Sequence, residues 1–116
     1  MLPEAKDAAL LWDMRQAASE IAGFVKDVTY ERFQSNNMLR YAVERQILVI
    51  GEAAKNVSSK FKDAHPEILW SAIIAQRNIL AHEYGEILVE RIWRVATVFV
   101  PELIEQLSQL VPPPPK

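Results

Sequence analysis

Cysteine is missing from this chain altogether. That excludes disulfides and thiolate chemistry, and it fits a reducing cytoplasm, where the protein is expected to work. No apolar run approaches the roughly 20 residues a membrane-crossing helix needs, so no membrane partner is expected. A cationic excess is lacking as well. Lys and Arg number 13 against 15 Asp and Glu, for a net charge of −2. A surface basic enough to coat itself with nucleic acid is thereby excluded, and any such contact must be local. Glu4, Asp7, Asp13 and Glu20 in the first 26 residues are wrong for a signal peptide. No segment alternates polar and apolar residues as a half-buried strand would.

What is present is apolar and helical. Half of the 116 residues are apolar, enough for one core burying roughly 65% of the unfolded surface, with apolar area to spare for a homodimer. The expected organisation is a single helical domain over residues 1–111 and a Pro-rich extended tail over 112–116.

Four segments carry helical periodicity. The first spans about Pro3 to Lys26, with Leu10, Met14, Ala17, Ile21 and Phe24 on one stripe. Thr29 can cap a short turn through Phe33, and Ser35 or Asn36 the next helix. That helix, about Asn37 to Phe61, is expected to be the longest. Val43, Ile47, Ile50, Ala54, Val57 and Phe61 form its stripe, while Met38, Tyr41, Leu48 and Val49 lie on other faces. Two greasy faces imply a central position or a second partner, and a dimer interface is the favoured reason. Asp63 to Pro66 is a break. A third helix follows over Glu67 to Ala81 with Trp70, Ile73, Ile74 and Leu80 inward. The fourth, about Glu86 to Leu110, buries Ile92, Ala96, Phe99, Leu103, Leu107 and Leu110, and Pro101 should kink it. The fold class is all-α, an up-and-down bundle of four or five helices with a kinked last helix.

One stretch stands apart. Arg77-Asn78-Ile79-Leu80-Ala81-His82-Glu83-Tyr84 places a guanidinium, an amide, an imidazole and a phenol in eight positions. Arg holds phosphate with two hydrogen bonds at once, and His moves a proton near neutral pH. Five residues apart on a regular helix, Arg77 and His82 diverge by about 140°. Asn78 and His82 are neighbours, as are Arg77 and Tyr84. Either the helix ends or distorts near Ala81, or a second subunit completes the site across a two-fold axis. The bland reading pairs Arg77 with Glu83 or Glu86, uses Asn78 as a cap and sets His82 against the helix dipole.

Arg77-Asn78, three residues, then His82-x-Tyr84 resembles the signature of the HEPN superfamily, and specifically its HepT-like toxins. Ala42-Val43-Glu44-Arg45, Ile50-Gly51-Glu52-Ala53, Pro66, Trp70 with Ile73, and Ile92-Trp93 follow that family's order, so the likeness covers roughly residues 5–110. Leu69 departs from it, standing where many relatives carry proline, which bears on where the third helix starts. The resemblance implies a HEPN-like bundle and a metal-independent endoribonuclease that works as a homodimer and needs no cofactor. Arg77 and His82 match its paired catalytic residues, Asn78 its polar position and Tyr84 its tyrosine. It also implies a toxin–antitoxin system of the type VII kind, in which a nucleotidyltransferase antitoxin silences the toxin by adding AMP to Tyr84. The substrate is then RNA, and no DNA is expected.

Other residues support or compete. Glu52 shares a face with Arg45, as a buried ion pair or as support for the cleft. Arg91 and Arg94, one turn apart, can extend a positive patch for RNA phosphates or form a solvated face. Trp12, Trp70 and Trp93 read as core anchors, and His65 as a loop residue beside Pro66. A di-iron bundle needs Glu-x-x-His, but Lys62 and Ile79 stand three before the two histidines, so no metal is expected. The competing function is a non-catalytic helical dimer that serves as a binding module for a nucleotidyltransferase. A nucleotide-binding bundle without cleavage is a third.

Overall fold

The computed structural model describes residues 4–82 and 84–111. The order is α1 (Ala5–Val25), α2 (Tyr30–Ser35), α3 (Asn37–Asn56), α4 (Ser59–Ala64), α5 (Trp70–His82), α6 (Gly85–Arg94), a π-helical turn (Val95–Phe99) and α7 (Val100–Ser108). Four long segments make the bundle: α1, α3, α5, and α6 continued through the π turn into α7. The short α2 and α4 fill the corners. No strand occurs among the described residues, and the fold is the all-α bundle expected.

The caps follow from local chemistry. Thr29 Oγ1 accepts from Arg32 N at 3.2 Å, and Asn36 Oδ1 from Leu39 N at 3.0 Å. Each satisfies a backbone donor that the first helical turn leaves orphaned. α1 packs along α3 and α7, and α3 also meets α2, α5 and α6, which makes α3 central. At Gly51 a β-carbon would come within 3.3 Å of the Ile73 carbonyl oxygen. Only glycine allows α5 that close to α3, and the approach brings Glu52 beside α5.

Three boundaries differ from the sequence reading. The second helix does not run to Phe61; it stops at Asn56. The cause is distant in sequence: the buried Asp7 carboxylate accepts from Ser58 N at 2.9 Å and from Ser58 Oγ at 2.6 Å. Ser58 Oγ in turn accepts from Phe61 N and opens α4. α1, at 21 residues, is therefore longer than α3, at 20. The break expected from Asp63 falls later, because α4 continues through Ala64. The third helix begins at Trp70, three residues later than expected. Trp70 Nε1 donates to the His65 carbonyl at 2.9 Å and Ile68 is buried, so 65–69 forms a packed turn.

Val43, Ile47, Ile50, Ala54, Val57 and Phe61 are all buried, as their spacing predicts. Phe24 is exposed, and Leu11 lies inward in place of the half-buried Leu10. Phe99 is exposed too, and Val100 takes its place in the core. A π turn takes in more residues than an α turn, so the inward position after Ala96 slips from 99 to 100. This turn ends just before Pro101, which sits in the first turn of α7. The expected irregularity is there, but it takes the form of a π turn ahead of the proline. Trp70 is buried, and Trp93 packs against Phe33 and Tyr30, with ring centroids 5.0 and 5.9 Å apart. No helix among the described residues is long and apolar enough to cross a membrane.

Candidate active site

α5 carries the motif. Arg77, Asn78 and His82 are all exposed, and His82 is the last residue of the helix. The helix keeps its course from Arg77 through His82 and ends there, one residue past Ala81. The two side chains diverge by about 140° and are offset by about 7.5 Å along the axis. Helical spacing alone therefore sets them on different faces of α5. Asn78 and His82, one turn apart, do share a face.

Arg77 points to the α3 side. Its Nη1 lies 3.5 Å from Glu52 Oε2, with both side chains more than half exposed. Glu52 is therefore neither buried nor paired with Arg45; it meets the motif arginine itself. Of the alternatives, Glu83 lies outside the described residues, and Arg77 does not pair with Glu86. Both residues line an open groove of about 580 Å³ between α1 and α3. Asp13, Glu20 and Glu52 face Arg45 and Arg77 there, three carboxylates against two guanidiniums. Along α3, Met38, Tyr41, Arg45, Leu48 and Glu52 follow at three- and four-residue steps and form one exposed stripe. Met38 is 82% exposed and Tyr41 60%. Among the described residues, an exposed and partly apolar face of α3 thus leads to Glu52.

Tyr84 is 81% exposed and precedes α6, next to Gly85 at φ +66°. The left-handed turn at Gly85 sends α6 off from the end of α5. Arg91 and Arg94 do not share the Arg77 groove. With Tyr30, Ile87, Glu90 and Trp93 they line a second one, on the α2–α6 side. Tyr30 Oη is buried there without a hydrogen-bond partner among the described residues. Burial, then Glu90 and Glu86, pushes its phenol above the ordinary value. His65 lies elsewhere, capping α4 and stacked on Phe61 at 4.4 Å. Among the described residues no three His, Asp or Glu gather as a metal site.

The model of HepT-like ribonucleases matches residues 14–110. The chain belongs to the HepT-like ribonuclease family. Curated relatives agree. "Probable ribonuclease HepT" of Thermococcus cleftensis is 32% identical over 100 residues, covering 86% of this chain and 91% of the relative. Two Methanocaldococcus jannaschii proteins provisionally named RNases are also similar. One is 33% identical over 100 residues, 86% of this chain and 92% of its own. The other is 29% identical over 110 residues, 95% of each. No solved structure matches the chain.

Sequence reasoning found the motif of this HepT-like chain and left Glu52 as either a buried partner of Arg45 or support for the cleft; the structure sets it against Arg77 and not Arg45. The missing signal was Gly51: a glycine in the middle of a good helix marks a close crossing, and it directs the neighbouring residue to the crossing helix.

Proposed function

We propose that this HepT-like ribonuclease cuts RNA as a homodimer, with Arg77 of one subunit acting beside His82 of the partner subunit. The observation that carries this reading is the divergence of the two side chains on an uninterrupted α5, combined with an exposed and partly apolar stripe of α3 that leads to Glu52, beside Arg77. A copy seated on that stripe covers Met38, Tyr41 and Leu48 and closes the groove beside the guanidinium.

In the reaction His82 takes the proton from a ribose 2′-hydroxyl, and the oxygen attacks the adjacent phosphorus. Arg77 stabilises the charge gathering on the phosphoryl oxygens. Asn78, on the His82 face, orients the imidazole or the phosphate. The departing 5′-oxygen receives a proton from that same His82, now protonated, or from Tyr84. No step requires a metal.

The protein is, on this reading, the toxin of a type VII-like toxin–antitoxin pair. Tyr84, 81% exposed, is open to a nucleotidyltransferase antitoxin. Adding AMP there sets bulk and negative charge where RNA phosphate must pass. Incubating the purified protein with labelled RNA in a chelator tests the reaction: 2′,3′-cyclic phosphate ends are expected, and 3′-hydroxyl ends or intact RNA would refute it. The second reading, a silent helical adaptor for the nucleotidyltransferase, draws on the same apolar stripe and predicts intact RNA.

A further inference from the structure

On a regular helix Ile92, Ala96, Phe99 and Leu103 would form one inward row, with a phenyl ring at the third place. The π turn sends Phe99 outward and sets the smaller Val100 in the core instead. Beside this turn, between α3, α5 and α7, lies a cavity of about 90 Å³. Ile47, Ile50, Ile73, Val95, Val100 and Leu103 line it. Leu69 and Phe99 complete the wall and are 58% and 45% exposed, which leaves it open to solvent on their side. π turns inside α-helices occur frequently at functional sites.

One polar atom of this wall is unsatisfied. Gln76 lines the cavity from α5, and its Oε1 is buried with no hydrogen-bond partner among the described residues. Buried acceptors left unpaired are costly and rare in folded proteins. The other amide in the wall is engaged, since Gln106 Nε2 donates to the Glu67 carbonyl at 3.0 Å, and Glu102 is exposed. A bound water takes about two to four polar partners, and here it finds one. An apolar body with a single donor satisfies the wall better. An apolar cavity of about 150 Å³ holds a benzene ring, so one of about 90 Å³ with an open side takes a single ring at most.

We infer that this cavity binds a monocyclic aromatic molecule carrying one hydroxyl or N–H donor. The ring lies among the aliphatic side chains, near the place a phenyl group would take on a regular helix, and the donor meets Gln76 Oε1. An anionic group on the ring is disfavoured, because Glu102 is the only charged residue in the wall. Gln76 directly precedes Arg77, so the occupant lies against the helix that carries the motif. Neither the dimer nor the cleavage chemistry is needed for this binding.

Phenol and toluene, which differ by a hydroxyl against a methyl, are the probes. Each is titrated into the full chain and followed by backbone amide shifts in NMR. Wild type should bind phenol with its largest shifts at Ile50, Ile73, Gln76 and Val100. Gln76→Met keeps the length of the side chain and removes the acceptor. It should weaken phenol by about tenfold, the loss of one buried hydrogen bond, and leave toluene within about threefold. A second variant, Val100→Phe, fills the cavity with a ring of its own and should abolish binding of both probes. Equal changes for the two probes in Gln76→Met overturn the donor site. So do shifts that fall elsewhere, no binding of phenol to wild type, or binding retained in Val100→Phe. Phenol binding that weakens as protein concentration rises, in step with dimer formation, overturns it as well, because a second copy would then be the occupant.

Discussion

Arg77 and Glu52, on neighbouring helices and 25 residues apart, meet at 3.5 Å in a setting where both are more than half exposed. An exposed pair of this kind contributes about 0.2–1 kcal/mol, so it does little for the fold. Its effect falls on the arginine. Glu52 holds the guanidinium at the groove mouth and competes with RNA phosphate for it.

Glu52→Gln should therefore separate stability from function. The melting temperature is expected to move by less than about 4 °C, the equivalent of about 1 kcal/mol in a domain of this size. RNA affinity should rise, since one carboxylate leaves a groove where carboxylates predominate. Thermal melts and KM on the same preparations check both halves.

Asp7 gives the opposite pattern. Its buried carboxylate accepts two hydrogen bonds from Ser58, and Ser58 caps α4. Asp7→Ala leaves those donors unsatisfied and should cost about 2–3 kcal/mol, a loss of about 10 °C in melting temperature. Cleavage per folded molecule should be unchanged, as Asp7 does not reach the motif.

A pH effect attaches to Glu44. Desolvation by burial holds its carboxyl above the ordinary value of 4.5, with Arg40 opposing. A raised folded value means that ionisation works against the fold. The contribution to stability is complete below the unfolded value and is lost as pH rises through the folded one. Glu44→Gln should consequently be more stable than wild type at pH 7, with the difference vanishing as pH falls below the ordinary carboxylate range. Urea midpoints across that range provide the measurement.

Tyr84→Phe should keep cleavage within about threefold unless the phenol is the proton donor to the leaving oxygen, in which case kcat falls by about 10²–10⁴. In either case the variant should carry no adenylate after incubation with the nucleotidyltransferase and ATP, as read by intact mass.

How much of this was legible beforehand depends on where the cause sits. The α3 stripe could be read because its residues repeat locally, and the motif because Arg, Asn, His and Tyr are conspicuous among apolar neighbours. The end of α3 at Asn56 could not, since Asp7 sets it through Ser58, 51 residues further along the chain. The slip from Phe99 to Val100 was hidden in the same way: periodicity assumes a uniform turn, and the π segment breaks that assumption without a residue that announces it. Glu52 was noticed as a charge on a central helix, yet its partner depends on a helix crossing.

The central claim is a cleft shared between subunits, and mixing two inactive variants addresses it most directly. Arg77→Ala and His82→Ala are purified separately, shown to cut no RNA, then unfolded together and refolded. If one subunit's arginine works with its partner's histidine, half of the dimers are mixed and each keeps one intact pairing, so about a quarter of wild-type cleavage should return. A mixture that forms mixed dimers and stays as inactive as either variant alone would contradict the account.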